Sequence, residues 1–489
     1  MAPDPGIRLN KLFSARIARA ATRFCRTAPQ AALLSPAALA SAQAELLQRL
    51  MDRASPALLE DAALRLAARQ GAWGNAAPFA PADLAAALTL ADCEEVLETL
   101  PVLAALLDRT EDDWATALDR MTRSLARFLT DPAPGAVVAL APNLSDPHDG
   151  GRTAAILGLR GGGSLVYKPR DLAMEQGFHA LVEWLRARGA SDLLRAAPVH
   201  HRTPNDGWMA FVEHRPCQSA AEVGHFFERA GALLCLVAVL QGTDIHRENI
   251  IADGPWPILV DAETLFQPRS DGAASLSADL LIRDSGMLPS HGRETTSDFS
   301  ALCSRTGAAT AIHVRGARYH LPKAHNLPVL NGREHTAHAH RDRVVAGFTA
   351  LFRILVRHRD ALTAGDGPLA AFATLPGRTL ATGTLRYGML IGASLSLEAL
   401  RTPTGRRESL RRGLRALQGH SLPDAQRERE LRDLLNADVP RLEFHPGVAD
   451  PQGTQPSTLD QTLDRLRQLD EARLGDWIDA INTLSETRG

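Results

Sequence analysis

The residues best equipped for chemistry lie between Gly242 and Phe266, in the run GTDIHRENIIADGPWPILVDAETLF. Asp244, His246 and Asn249 come first, an Asp-Gly-Pro turn follows, and the apolar run Pro257-Ile258-Leu259-Val260 then delivers Asp261 and Glu263. An Asp that accepts a hydroxyl proton, followed by an Asn and a second Asp that hold magnesium, is the minimal equipment for phosphoryl transfer from ATP. Carboxylates at the end of a strand are open to both a hard cation and a nucleotide. Protein kinases use the same order of parts, a catalytic loop and then a metal-binding Asp. The His-Arg-Asp and Asp-Phe-Gly wording of those enzymes is absent here.

A second group lies upstream. The loop NLSDPHDGGR carries Asp146, His148, Gly150, Gly151 and Arg152, and the strand LVYKP carries Lys168. Small residues between antiparallel strands let backbone N–H groups approach phosphate oxygens. A lysine on an otherwise apolar strand needs an anionic partner. Gly161–Gly163 read more simply as a hairpin turn. His325, His335, His338 and His340 have metal-like spacing but no cysteine or carboxylate pattern beside them, so a solvated loop is expected. Arg401, Arg406, Arg407, Arg411, Arg412 and Arg415 read as a charged, solvated helix face.

The elements that must position these residues fall into four stretches. Residues 1–130 are Ala/Leu-rich with apolar residues three and four apart, which predicts a helical N-terminal cap, with Pro56, Pro81 and Pro101 where helices start or break. Residues 131–266 predict a kinase-like core with a nucleotide cleft between two lobes. It has three strands up to Lys168, an amphipathic helix, a strand–turn–strand around Asn205-Asp206-Gly207, and a buried helix feeding the Asp244 loop. Residues 267–345 form a polar connecting segment, read either as an activation-loop analogue or as a surface excursion. Residues 346–489 are helical and contain RTLATGTLRY at 378–387.

At 489 residues the chain exceeds what one core usually supports. Net charge is −2, so any phosphate affinity must be local, and bulk electrostatics gives no reason to invoke nucleic acid or an anionic membrane. Five scattered cysteines (25, 93, 217, 235 and 303) form no Cys-x-x-Cys pair, which argues against structural zinc and disulfides and for a reducing, cytoplasmic setting. No run is long enough to span a bilayer, and no signal peptide is evident.

Taken in order, SDPHDGGR, LVYKPR, GW, VEH, GTDIHREN, LVDAETLF, LPVLNG and RTLATGTLRY resemble the dehydratase domain of class II lanthipeptide synthetases, the LanM family, from about Glu95 to near the C-terminus. The resemblance implies an α+β fold with a lipid-kinase-like bilobal core, an extra helical N-terminal cap and C-terminal helical elements. It implies two reactions: ATP phosphorylates Ser or Thr of a ribosomal precursor peptide bearing a leader, and the phosphate is then eliminated to leave dehydroalanine or dehydrobutyrine. Carried over residue by residue, Lys168 matches the phosphate-contacting lysine. Asp244, His246 and Asn249 match the catalytic-loop trio, Asp261 and Glu263 the acidic pair, and Asp146 and His148 the phosphate-loop pair, with Arg152 beside them. Asn249 and Asp261 are the expected magnesium ligands. Arg378 and Thr384, with Tyr387 after them, match the elimination segment.

The chemistry agrees with that division. Phosphorylation turns a poor leaving group into a good one, and elimination then needs a base at the α-carbon and donors on the departing phosphate. Arg378 supplies a permanent fork of donors, Thr384 a hydroxyl, and His148 a proton handler. Two departures stand out: Ser145 where a glycine is frequent, and Thr382 where a second arginine is common. None of the cysteines is followed by the His-Gly of the family's zinc-dependent cyclase domain, so no zinc is expected. Either a separate cyclase acts, the product stays dehydrated, or a further segment is missing. Two other readings stay open: a peptide or small-molecule kinase that stops at phosphorylation, and an inactive nucleotide-binding module that recognises peptides.

Overall fold

In the computed structural model the described residues are 5–70, 84, 89–130, 132–268, 277–289, 299–304, 311–314, 317–320, 324–379, 382–418, 423–449 and 455–485. They divide into two compact units, each assembled from three stretches of chain. The first comprises Met1–Pro169, Asp206–Trp208 and Leu380–Leu442; the second comprises Arg170–Asn205, Met209–Thr379 and Glu443–Gly489. The units therefore interleave along the sequence.

The first unit opens with the expected helices: α1 (Pro5–Thr27), α2 (Pro36–Gln70), α3 (Leu90–Thr99) and α4 (Pro101–Phe128). Thr89 and Asp92 form a reciprocal capping box that starts α3, satisfying otherwise orphaned amides. Pro101 sits in the first turn of α4, where its missing N–H costs nothing. Pro56 is a correction: it lies inside α2 and does not end it. A mid-helix proline costs roughly 3 kcal/mol, but Ala54, Ala57 and Leu58 around it are fully buried, and their packing holds the helix through the defect. Pro81 lies outside the described residues. The core joins Phe13, Phe24, Leu46, Leu50, Leu103 and Trp114, whose indole N–H donates to the Ala42 carbonyl at 3.0 Å.

Three strands follow in a meander: β1 (Val137–Ala141), β2 (Ala155–Leu159) and β3 (Ser164–Lys168), with Ala155 opposite Tyr167 and Gly158 opposite Ser164. Gly162 and Gly163 take φ of +90° and +81° in the β2–β3 turn, which explains the glycine run. Trp208, fully buried, packs on Tyr167 and Phe128 and donates to Ser124, which in turn donates to Asp206. The helices Thr384–Ala393, Pro403–Gln418 and Asp424–Leu435 complete the unit. Arg407 and Arg411 pair with Glu428 at the surface, as expected. Arg406 does not belong to that solvated face. It is buried and donates to the last carbonyls of the helix Asp424–Leu435, at 2.6 Å from Leu435 O and 3.3 Å from Leu434 O. A helix C-terminus leaves such carbonyls unsatisfied, and a buried guanidinium meets them.

The second unit is organised around α6 (Ala220–Val239), which follows α5 (Ala173–Leu185) and is buried along most of its length. Gly231 and Gly347 allow α6 and the helix Arg341–Thr363 to touch backbone to backbone. A Cβ on Gly231 would sit 1.9 Å from Val344 O, and one on Gly347 1.6 Å from Glu228 O. Phe227, Phe348, Phe352 and Trp477 fill the core around them. His340 is not simply solvated: its ring stacks on Phe227 with centroids 4.6 Å apart, and burial, with His335 and Arg343 nearby, lowers its pKa. The hairpin β4 (Ile250–Asp253) and β5 (Trp256–Leu259) then leads to Asp261. Much of the activation-loop-like stretch (269–276, 290–298 and 305–310) lies outside the described residues. No helix among the described residues is long and apolar enough to cross a membrane.

Candidate functional site

In the second unit the end of α6 feeds the loop 244–249 through a tight reversal. Gln241 has φ of +56°, and Gly242 N donates back to Val237 O at 2.8 Å. Thr243 and Thr264 then bond each other twice, N–H to carbonyl at 3.1 Å and hydroxyl to carbonyl at 2.6 Å. Asp244 follows with φ of +59°, a left-handed conformation that non-glycine residues take only when their surroundings fix it. Those surroundings are visible: the Asp244 carbonyl accepts from His246 N at 2.9 Å and from the Asn249 side-chain amide at 2.8 Å. Ile245 is fully buried and donates to Ser285 O at 2.8 Å. With its amide nitrogen so engaged, Asn249 presents its oxygen as a hard ligand. His246 Nδ1 accepts from Glu248 N at 3.2 Å, so in the neutral ring the proton resides on Nε2.

Val260 N donates to Asn249 O at 2.9 Å, which joins the Asn249 turn to the strand end carrying Asp261. Around Asp261 five charged side chains meet. Arg170 bonds Glu175 through both Nη atoms, Asp261 at 2.9 Å and Glu263 at 3.0 Å. Arg378, on the strand Gly377–Thr379, meets Glu263 at 3.1 Å. Burial alone would lower the Arg170 pKa, but Asp261, Glu175 and Glu263 outweigh it and hold the group well above its ordinary value. Three carboxylates and two guanidinium groups thus share one largely buried cluster. Arg170 and Glu175 were not singled out from the sequence. The available signal was Arg170 two residues past Lys168, and an acid in the buried first turn of α5.

Arg378 has a further property. It is 9% exposed, yet its Nε and Nη2 have no hydrogen-bond partner among the described residues. Buried donors left unmatched cost about 1–3 kcal/mol and call for a ligand or water. Asp261 keeps 26% of its side chain accessible, and its carboxylate and the Asn249 amide oxygen are chemically hard donors. Among the described residues no group of three or more His, Cys, Asp or Glu forms a ready-made metal cage.

Lys168, Asp146, His148, Arg152 and Thr384 belong to the first unit. Lys168 closes β3 and is 8% exposed, and Thr384 opens the helix Thr384–Ala393. His148 and Arg152 face each other across the neck of one loop, each donating its N–H to the other's carbonyl at 3.1 and 2.8 Å. Ser145 closes the loop from outside, its hydroxyl accepting from Ala154 N at 2.9 Å, which accommodates the departure noted at that position. The glycine amides require a correction. Gly150 N and Gly151 N do not point to an open phosphate position; they donate to the Asp438 carboxylate at 2.7 and 2.8 Å. Nothing in the sequence links positions some 290 apart, so this partner was not foreseen. Thr382, where a second arginine was noted as common, is 9% exposed and accepts from Gln418 at 3.4 Å. Gln418 and Tyr387 both donate to Glu430, which is fully buried.

With this geometry in place, the chain was compared with known proteins. A curated relative, the Lacticin 481/lactococcin biosynthesis protein LcnDR2 of Lactococcus lactis subsp. lactis, is 28% identical over 109 residues. That alignment takes in 21% of this chain and 12% of the relative, so the chain matches only a small part of that protein. Residues 100–445 match the family described as "Domain of unknown function (DUF4135)", a span that contains every candidate site residue. The match covers well over half of the sequence, and the chain belongs to the DUF4135 family.

Proposed function

We propose that this protein modifies a ribosomally made precursor peptide in lanthipeptide biosynthesis, as a LanM-like dehydratase that phosphorylates Ser or Thr and then eliminates the phosphate. The similarity to a lacticin biosynthesis protein supports the peptide-modifying part of this reading. The two-step chemistry rests on one observation: Arg378, implied in elimination, is ion-paired to Glu263 of the acidic pair with two buried donors still unmatched.

The residues divide the work as follows. Asp244 accepts the proton of the attacking Ser or Thr hydroxyl as the hydroxyl oxygen bonds the γ-phosphorus of ATP, the bond to the bridging oxygen breaks, and ADP leaves with that electron pair. Lys168 neutralises nucleotide phosphate oxygens. Asn249 and Asp261 would hold magnesium, which when bound screens the phosphate charge. In the second step a base, for which His148 is the proposed group, removes the α-proton. The Cα–H electrons form the double bond, the Cβ–O bond breaks, and phosphate leaves with that pair. Arg378 donates to the departing oxygens, which carry the developing charge. A buried guanidinium donates more strongly there than in water, because the surrounding dielectric is low.

Incubation of the protein with ATP, magnesium and a leader-bearing precursor peptide is expected to give mass losses of one water per modified residue. Stable phosphate additions alone would reduce the activity to that of a kinase. That second reading is favoured by Thr382, an uncharged side chain engaged with Gln418 where a guanidinium is common.

A further inference from the structure

The loop with His148 and Arg152 is held by a two-residue segment almost three hundred positions later. Asp149, Gly150 and Gly151 have successive φ values of +46°, +84° and +69°. A run of this kind turns consecutive backbone N–H groups toward one point and forms a concavity for an anion. Here the anion is internal: Asp438, 3% exposed, takes Gly150 N on one oxygen and Gly151 N on the other. The next residue engages the same loop twice. Val439 N donates to Pro147 O at 2.8 Å, and Val439 O lies 2.6 Å from His148 Nδ1. A carbonyl only accepts, so Nδ1 must carry a proton, and the neutral ring presents Nε2 as its acceptor nitrogen. From the far side Arg49 of α2 donates to Gly151 O.

We propose that Asp438 and Val439 are positioning residues that fill the glycine concavity with an internal carboxylate and lock His148 in the tautomer whose Nε2 accepts a proton. This deepens the reading of His148 as the proton handler and rests on it. It changes what the loop offers. Its amides are committed to holding its shape, and Arg152 pairs with Asp149 of the same loop at 2.9 Å, so the loop offers the His148 ring and not a backbone cradle for phosphate. Gly150 and Asp438 also border a cavity of about 310 Å³ lined by Asp113, Asp149 and Asp433 together with Arg109, Arg120 and Arg152.

The test compares wild-type protein with Asp438→Ala and Asp438→Asn, full chain, with melting temperatures recorded. Hydrogen exchange is followed over residues 144–153 without any peptide substrate, so this arm does not depend on activity. Expected is loss of protection in Asp438→Ala and partial retention in Asp438→Asn, which keeps one acceptor oxygen. The second arm is the pH profile of product formation. A loosened His148 ring should lower kcat on the order of 100-fold, the cost of a misplaced reacting group, and displace the acidic limb of the profile. Asp438→Asn should fall between the two. If Asp438→Ala does not fold, the Asp438→Asn pair decides. Equal protection of the loop in wild type and variants would overturn the proposal. Altered protection with an unmoved pH profile would overturn the role of His148 and leave the carboxylate with a folding role alone.

Discussion

Arg378 and Glu263 are tied together twice, by an amide-to-carbonyl bond at 2.7 Å and by a side-chain ion pair at 3.1 Å. One guanidinium nitrogen thus serves Glu263, while Nε and Nη2 have no hydrogen-bond partner among the described residues. Removing the donors should separate the two half-reactions. Arg378→Ala is expected to phosphorylate the peptide but slow water loss by about 10²- to 10³-fold, the range seen when one oxyanion donor is removed. Arg378→Lys should not restore it, because a single ammonium cannot span Glu263 and phosphate together. Mass spectrometry of the product decides: undiminished dehydration in both variants would remove Arg378 from the chemistry.

Asp244 offers a clean test of the first step. Its left-handed backbone is one that asparagine also adopts readily, so Asp244→Asn should fold with an unchanged melting temperature. ATP turnover should nonetheless drop by roughly 10²- to 10⁴-fold, the usual contribution of a positioned base. Turnover within a few-fold of wild type would mean that another group takes the hydroxyl proton.

Arg170 is expected to matter first for folding. It is the hub of a buried charge cluster, and Arg170→Met leaves Glu175, Asp261 and Glu263 without their shared counter-ion. Breaking a buried pair from one side costs about 3–5 kcal/mol. Urea denaturation should register that loss, and Glu175→Gln in the same background should recover part of it by removing one of the stranded charges. A loss below about 1 kcal/mol, typical of surface pairs, would show that the cluster is solvated in solution.

Stability should depend on pH through Asp433. Burial, followed by the nearby Asp438 and Asp149 carboxylates, raises its pKa to about 6. Its folded value lies above the unfolded one, so between these two values the folded chain binds more protons than the unfolded chain. Stability from this group therefore falls as pH rises through that window. Asp433→Asn should stabilise the protein at pH 7 by about 1 kcal/mol, a figure discounted for the partial exposure of the site. The gain should vanish near pH 4. A gain that persists there, followed by thermal melts across the range, would point to packing and not to charge.

Much of this was open to inspection in the sequence. The strands up to Lys168, the buried helix before Asp244 and the strand delivering Asp261 are legible because each follows from a local rule: apolar alternation, helical periodicity, or glycine at a turn. The nearness of Asp244, Asn249 and Asp261 to one another was legible for the same reason, since all three lie within one short stretch whose hydrogen bonds are mostly local.

What needed the tertiary structure is every relationship carried by a charge or a carbonyl far along the chain. Pro56 reads as a breaker until the buried surface around it is seen, and Arg406 reads as solvent-facing until the helix end it caps is placed beside it. Arg170 gathering Glu175, Asp261 and Glu263, and Asp438 filling the Gly150-Gly151 concavity, leave no periodic trace. Periodicity reports which side of an element is buried. It does not report what a polar group will meet there, and that depends on which distant segments the fold brings together.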